Sequence, residues 1–198
     1  VHAVIRGAGN LKGQQAVELV RPFLTHANED LTVAALSSLG RTKSATAAKA
    51  VRECLKDPRW RVRAAALEAI GQLRDPGAEP EVTACLDDAD PFVRRTAVMT
   101  LTTLSAKKSV KRLAEVFLKD DPLKGPIVAA LRQMDEPLPE TFAPALTGKD
   151  PDVLLTVLEG LGDGRSDSWR LALPYVRHEN GDVACAAIRV VARGGKAS

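Results

Sequence analysis

Apolar residues recur along the chain at intervals of 30 or 31 residues. The first set comprises Leu36, Leu67, Val98, Val128, Leu158 and Ile188. A second set lies three residues later and comprises Leu39, Ile70, Leu101, Leu131, Leu161 and Val191. A third lies five residues before the first and comprises Leu31, Val62, Val93, Leu123, Val153 and Val183. Positions with this spacing share one face of an α-helix, so every repeat is predicted to begin with an amphipathic helix.

The second half of each repeat has apolar positions of its own. These are Val20, Val51, Val82 and Leu113, and then Leu24, Leu55, Leu86 and Phe117. We therefore expect an all-α fold with two antiparallel helices in every ~30 residues, the pattern of an α-solenoid of about six helical hairpins. The first helices are predicted near residues 2–8, 29–40, 58–73, 91–104, 121–134, 151–162 and 181–193, with second helices between them.

Local residue types support these boundaries. The dipeptides Asp57-Pro58, Asp90-Pro91, Asp121-Pro122 and Asp150-Pro151 predict an N-cap followed by the first helical residue. Gly40, Gly71 and Gly162 are predicted to end first helices, and Ser44, Asp75 and Ser105 to cap second helices. Asp57-Pro58 comes early in its repeat, so Arg59 and Trp60 are expected to lengthen that helix by half a turn. Pro126 and the prolines between residues 137 and 144 predict distortion.

Two segments carry a family resemblance. LDDADPFVRRTAVMTLTTL at 86–104 and DPRWRVRAAALEAIGQLRDPGAEPEV at 57–82 resemble HEAT repeats, specifically the short type named after phycobilisome (PBS) lyases. The resemblance implies a right-handed superhelix, with first helices on the convex face and second helices on the concave face. We expect one domain over 1–198: an incomplete repeat at 1–25, repeats near 26–56, 57–88, 89–119, 120–149 and 150–179, and a terminal helix at 180–193.

Each repeat of a solenoid buries its apolar face only against its neighbours. We therefore expect the chain to be part of a larger protein, or to self-associate through its exposed ends. Composition adds little about partners, because the net charge is only +3 and 4% of residues are aromatic. No apolar run reaches the ~18 residues of a membrane helix. The three cysteines Cys54, Cys85 and Cys185 form no CxxC pair, which argues against a disulfide scaffold or zinc site and favours a cytoplasmic location.

Enzymatic relatives of such repeats make specific demands. Deoxyhypusine hydroxylase, which these repeats resemble, holds two irons with paired His-Glu dipeptides, whereas this chain has one such dipeptide, His178-Glu179. A single dipeptide cannot supply that clustered set of ligands. Phycobilin lyases share the repeats too, but the sequence contains no distinctive chromophore-handling motif. We therefore expect no catalytic residues, metal or cofactor.

A nucleic-acid function is the alternative. Alkylpurine DNA glycosylases are built from HEAT-like repeats and use a basic concave face. Here the solvent-facing row of the second helices alternates in sign, as Glu18, Lys49, Pro80, Lys111, Glu140 and Arg170. That alternation disfavours a groove that follows phosphates. A further row, Arg63, Arg94 and Lys124, is expected to pair with Asp57, Asp90 and Asp121 in a ladder between repeats.

The primary prediction is a non-enzymatic scaffold or adaptor that binds another protein; a nucleic-acid-binding or DNA-base-excision module is the alternative. The candidate partner-binding residues are Arg59, Trp60, Arg61, Phe92, Met99, Lys107, Lys108, Lys111 and Arg112. The four cations at 107–112 are either a solvated surface or a contact for an acidic partner. Trp60 is the one departure from the repeat at its position, and the sequence leaves open whether it packs on a neighbouring repeat or anchors a partner.

Overall fold

The computed structural model describes residues 5, 7–9, 11, 13–134, 146, 150–161 and 169–194. No strand occurs in these residues, and none of the helices among them is both long and apolar enough to cross a membrane. The chain divides into two compact units, Val1–Ser109 and Val110–Ser198.

The first unit alternates the first and second helices of successive repeats. Its first helices are α2 (Glu29–Arg41), α4 (Trp60–Leu73) and α6 (Pro91–Leu104), and its second helices are α1 (Gly13–Leu24), α3 (Ala45–Glu53) and α5 (Glu79–Ala84). Two second helices continue as 3-10 turns, Cys54–Lys56 and Cys85–Asp87. The first helices pack on one another, as do the second helices with the first helices that follow them. This is the stacked-hairpin arrangement of an α-solenoid, as predicted.

The second unit contains α7 (Val110–Phe117), α8 (Lys124–Gln133), α9 (Pro151–Leu161), α10 (Trp169–Ala172) and α11 (Gly181–Gly194). The distortion predicted near Pro126 takes the form of a 3-10 turn, Asp121–Leu123, before α8. Proline is then accommodated in the first turn of α8, where a missing backbone donor breaks no helical hydrogen bond. The prolines predicted to distort 137–144, and the predicted helix end at Gly162, lie outside the described residues.

The periodic apolar positions form the core. Leu36, Leu67 and Val98 of the first set are at most 1% exposed, and each such side chain contributes about 1.5–3 kcal/mol by leaving water. Ile188 departs from its set, with 51% of its surface exposed. It lies on the last described helix, so no following repeat among the described residues covers it.

The helix starts correct one prediction. Asp90 caps α6 as expected, accepting hydrogen bonds from the amides of Phe92 at 2.8 Å and Val93 at 3.3 Å. In the preceding repeat, α4 begins at Trp60 with Arg59 as an N-cap that makes no side-chain hydrogen bond. Asp57 does not start that helix, and Arg59 does not lengthen it, because the 31-residue period places Asp57 level with Asp88 and Arg59 level with Asp90.

The helix ends correct a second prediction, that glycines terminate the first helices. Gly40 and Gly71 lie inside α2 and α4 rather than at their ends. The left-handed conformation is taken instead by Lys43, Arg74 and Ser105, with φ of 51°, 52° and 52°. Ser105 is therefore not the cap of the next helix. Ser44 caps α3 as predicted, whereas Asp75 caps the 3-10 turn Pro76–Ala78 and not α5 itself, whose N-cap is Ala78.

Gly40 and Gly71 differ in how closely the neighbouring first helix approaches them. A Cβ atom at Gly40 would lie 3.1 Å from the Cα of Ala69 in α4 and would collide with Gln72 Oε1. A Cβ atom at Gly71 would lie 3.9 Å from methyl carbons of Thr100 and Thr103 in α6. The same repeat position is thus tight between α2 and α4 and looser between α4 and α6.

Candidate functional site

Among the described residues of the first unit, three large apolar side chains are exposed on the first helices. Trp60, Phe92 and Met99 are 43%, 51% and 60% exposed. The Trp60 and Phe92 rings meet edge to face, with centroids 5.7 Å apart and an interplanar angle of 69°. Such a contact is worth about 0.5–1.5 kcal/mol beyond its area. Trp60 therefore packs on the neighbouring repeat and also keeps much of its surface open to solvent.

Phe92 and Met99 also line a groove between α4 and α6. The groove has a volume of about 710 Å³ and is lined by Glu68, Gly71, Gln72, Arg74, Phe92, Arg95, Thr96, Met99, Thr100 and Thr103. Along α6 it runs from Phe92 to Thr103, which corresponds to about 16 Å at the rise of an α-helix. We call it the first-helix groove. Of its lining residues, the sequence predicted only Phe92 and Met99 to bind a partner.

The hydroxyls of the three threonines in the groove are all bound to backbone carbonyls. Thr96 and Thr103 donate to backbone carbonyls one turn earlier, at 2.8 and 3.0 Å. Thr100 donates across the helix pair to the carbonyl of Leu67 at 3.1 Å. Because each hydroxyl is satisfied by a backbone acceptor, the groove walls are more apolar than their composition suggests.

Arg59 and Arg61, which flank Trp60, are engaged within the molecule. Arg59 pairs with both carboxylate oxygens of Asp57 at 2.8 Å and donates to the carbonyl of His26 at 2.9 Å. The hydrogen bond from Arg59 lowers the pKa of Asp57 below its ordinary value. Arg61 reaches Glu29 at 3.4 Å and Asp30 at 3.3 Å. Both arginines thus connect α4 to the previous repeat.

The predicted ladder exists at Arg63, with a different acid. Its guanidinium makes a two-point contact with Asp88 in the turn before α6, with both N–O distances 2.7 Å. The acids proposed from the sequence have other partners: Asp57 pairs with Arg59, and Asp90 caps α6. The side chain of Asp121 lies outside the described residues.

Backbone carbonyls complete the ladder. Arg63 Nη1 donates to the carbonyls of Asp57 and Pro58 at 2.9 and 3.0 Å. One repeat later, Arg94 Nη1 donates to the carbonyls of Asp88 and Ala89 at 3.0 and 3.3 Å. Each arginine therefore ties the start of its helix to the turn before it, which holds the exposed aromatic positions in place.

Arg74 and Arg95 differ from these arginines. Both are exposed and line the first-helix groove. Neither takes part in an ion pair with any residue in the part of the chain that the structure describes. Sequence reasoning missed both, although the register places Arg95 level with Ala64 and so marks it as a departure from the repeat.

The remaining cationic candidates fall in different units. Lys107 and Lys108 are exposed in the 3-10 turn Lys107–Ser109 of the first unit. Lys111 and Arg112 belong to α7 of the second unit, where Arg112 contacts Glu115 at 2.6 Å. A joint role for the four side chains stays a prediction.

The groups considered for metal or thiol chemistry are dispersed. Among the described residues, no cluster of three or more potential metal ligands is present. His178 accepts a hydrogen bond from the Asn180 amide at 3.1 Å, as a turn residue does. Cys54 and Cys85 are buried, and burial raises the pKa of each thiol to about 11.

The stacked hairpins and the contacts between repeats define the chain as an α-solenoid with an apolar groove on its first helices. The sequence profile of HEAT repeats matches residues 2–68 and 49–132, so the chain belongs to the HEAT-repeat family. No curated protein matches the chain in sequence.

Solved structures share the fold at low identity. The complex of CpcE and CpcF of phycocyanin lyase from Nostoc sp. PCC7120 matches with a TM-score of 0.57 at 19% identity, over 98% of this chain and 88% of the other. An engineered protein matches with a TM-score of 0.54 at 17% identity, over 91% and 98%. Human deoxyhypusine hydroxylase in complex with glycerol matches with a TM-score of 0.50 at 17% identity, over 97% and 88%.

Proposed function

We propose that the chain is a non-enzymatic HEAT-repeat scaffold that binds another protein through the first-helix groove. The observation that carries this proposal is the exposure of Phe92 and Met99 on the walls of the groove between α4 and α6. Contiguous exposed apolar surface on a folded chain marks interaction sites. Aromatic, methionine and arginine side chains are also the types enriched at the centres of protein interfaces.

Two further features support a protein partner. Trp60 extends the apolar surface beyond Phe92 and is held by its edge-to-face contact, so little side-chain entropy is lost when a partner covers it. The arginines nearest to it are neutralised by carboxylates, which leaves little uncompensated positive charge there for phosphates. This charge pairing disfavours the nucleic-acid alternative at this surface.

The proposal of a non-enzymatic role rests on the chemistry of the groove. Glu68 is the one carboxylate among the lining residues, and the lining contains neither a histidine nor a cysteine. A general base needs a partner to orient it and a nucleophile within hydrogen-bond reach. The groove walls supply neither, so their chemistry suits binding rather than bond making.

An affinity capture from the source cells tests this function, using variants matched to the repeat. Phe92→Arg and Met99→Glu give α6 the residues that α4 carries at the same positions, Arg61 and Glu68. Leu19→Ser, at a side chain 39% exposed on the second helix α1, is the control. A captured protein is purified and its affinity for each variant is measured.

We expect each groove variant to weaken binding about tenfold or more, since interface anchors contribute upwards of 1 kcal/mol, while the control binds normally. Equal binding by all variants would refute the first-helix groove as the interface.

A further inference from the structure

We infer that the partner segment of the first-helix groove is an amphipathic helix with acidic residues at both ends of its contact and a basic residue between them. This inference rests on the proposed function and adds the chemistry of the partner. Its basis is the order of charges along the groove, which the sequence repeat does not require.

The groove presents three charged side chains in the order positive, negative, positive. Arg95 lies level with residue 64 of α4, because the repeat is 31 residues long. Glu68 then follows by four residues and Arg74 by ten, which correspond to about 6 and 15 Å along the helix axis. All three side chains are exposed and line the same groove.

These charges remain available because the surrounding ion pairs do not include them. Arg59, Arg61 and Arg63 bind carboxylates of their own or a neighbouring repeat. Among the described residues, Arg74, Arg95 and Glu68 form no ion pair with one another or with other side chains. A partner that supplies the opposite signs gains attraction at every position, and one with the same signs meets repulsion.

The shape of the groove specifies the rest of the partner. Its apolar contacts, Phe92 and Met99, are seven residues apart on α6, a spacing of about 10 Å. A helix laid along such a groove offers apolar side chains at positions i, i+3 or i+4, and i+7. Its acids then lie ten or eleven residues apart, one facing Arg95 on α6 and the other facing Arg74 at the end of α4. The basic residue lies about four residues from the acid that meets Arg95 and faces Glu68 on α4.

Two synthetic helical peptides of about fifteen residues, long enough to span the groove, test the inference. Both carry the same leucine stripe and the same composition. The first has glutamates at its ends and lysines in its middle, and the second has lysines at its ends and glutamates in its middle. Affinities are measured by fluorescence anisotropy at low and high salt, with the intact chain and with the double variant Arg74→Glu, Arg95→Glu.

The first peptide should bind the intact chain about fivefold to tenfold more tightly than the second, since each exposed ion pair contributes about 0.2–1 kcal/mol. High salt should reduce this preference, and the double variant should reverse it. A circular-dichroism spectrum and unfolding midpoint matching the intact chain would establish that the variant is folded.

Each other outcome contradicts the inference in a distinct way. Equal affinities that both fall with Met99→Glu would refute the acidic partner while leaving the groove as a protein-binding site. Tighter binding of the lysine-ended peptide, or no measurable binding of either, would also refute it. The proposed function is judged separately, by the capture experiment with Phe92→Arg and Met99→Glu.

Discussion

Gly40 and Gly71 occupy the same position in successive repeats, yet the structure predicts opposite effects for the same substitution. Alanine in place of glycine within a helix stabilises the folded chain by about 0.5–1 kcal/mol, because glycine loses more backbone entropy on folding. At Gly71 the added methyl group would meet only methyl carbons at 3.9 Å, an ordinary van der Waals distance. Gly71→Ala should therefore raise the free energy of unfolding by about 0.5–1 kcal/mol.

At Gly40 the same methyl group has no room. It would lie 3.1 Å from the Cα of Ala69, a backbone atom that moves only if α4 moves. Gln72 Oε1 would also have to be displaced. Overpacking of this kind typically costs about 1–3 kcal/mol, which exceeds the gain in helix propensity. Gly40→Ala should therefore lower the free energy of unfolding by about 0.5–2 kcal/mol.

Urea unfolding followed by far-UV circular dichroism measures both values. Gly181→Ala in the first turn of α11 is a useful control, because no atom beyond its chain neighbours lies within 4 Å of its added carbon. It should therefore show no steric penalty. If Gly40→Ala and Gly71→Ala shifted the midpoint in the same direction by similar amounts, the difference in helix approach would not be the controlling factor.

Three more expectations follow from the ion pairs and the cysteines. Asp88→Asn should lower the free energy of unfolding by about 1–3 kcal/mol, because it removes the charged partner of Arg63. Asp30→Asn, at an exposed pair, should lower it by less than about 1 kcal/mol. Equal losses would contradict this ranking. Burial raises the pKa of Asp88, but the hydrogen bonds from Arg63 and the Asp90 amide outweigh it and lower that pKa below 3.8. Its contribution to stability is thus present above pH 3.8 and lost as the pH falls through the lowered value, and acid titrations of Asp88→Asn should show a smaller loss than the intact chain. A thiol reagent should label the exposed Cys185 in the folded chain, and the two buried cysteines only on unfolding; immediate labelling of all three, measured by mass spectrometry, would contradict their burial.

The 31-residue period explains which features of the fold are readable from the sequence. It predicts the first helices to within a few residues, because apolar spacing determines which face is buried. The period also gives the correct helix start where the local Asp-Pro motif misleads. By period, Asp57 is level with Asp88 and not with Asp90, so it belongs to the turn and not to the N-cap.

The role of a glycine, in contrast, cannot be read from the sequence. A glycine near the end of a predicted helix is compatible with a left-handed C-cap or with close helix packing, and the chain alone does not distinguish them. The structure assigns close helix packing to Gly40 and neither role to Gly71, while Arg74 and Ser105 adopt the left-handed conformation. The groove was not predicted for a related reason: which side chains line it depends on how α4 and α6 pack against each other.

The candidate site lies where the repeat permits variation. Phe92 of α6 is level with Arg61 of α4, and Met99 with Glu68, so the stack accepts charged residues at both positions. Packing therefore does not require the phenylalanine and the methionine. A large apolar side chain left in water forgoes about 1.5–3 kcal/mol of burial, which a covering partner would supply. For the same reason Phe92→Arg and Met99→Glu should leave the solenoid folded, and a loss of binding in these variants would report on the groove itself.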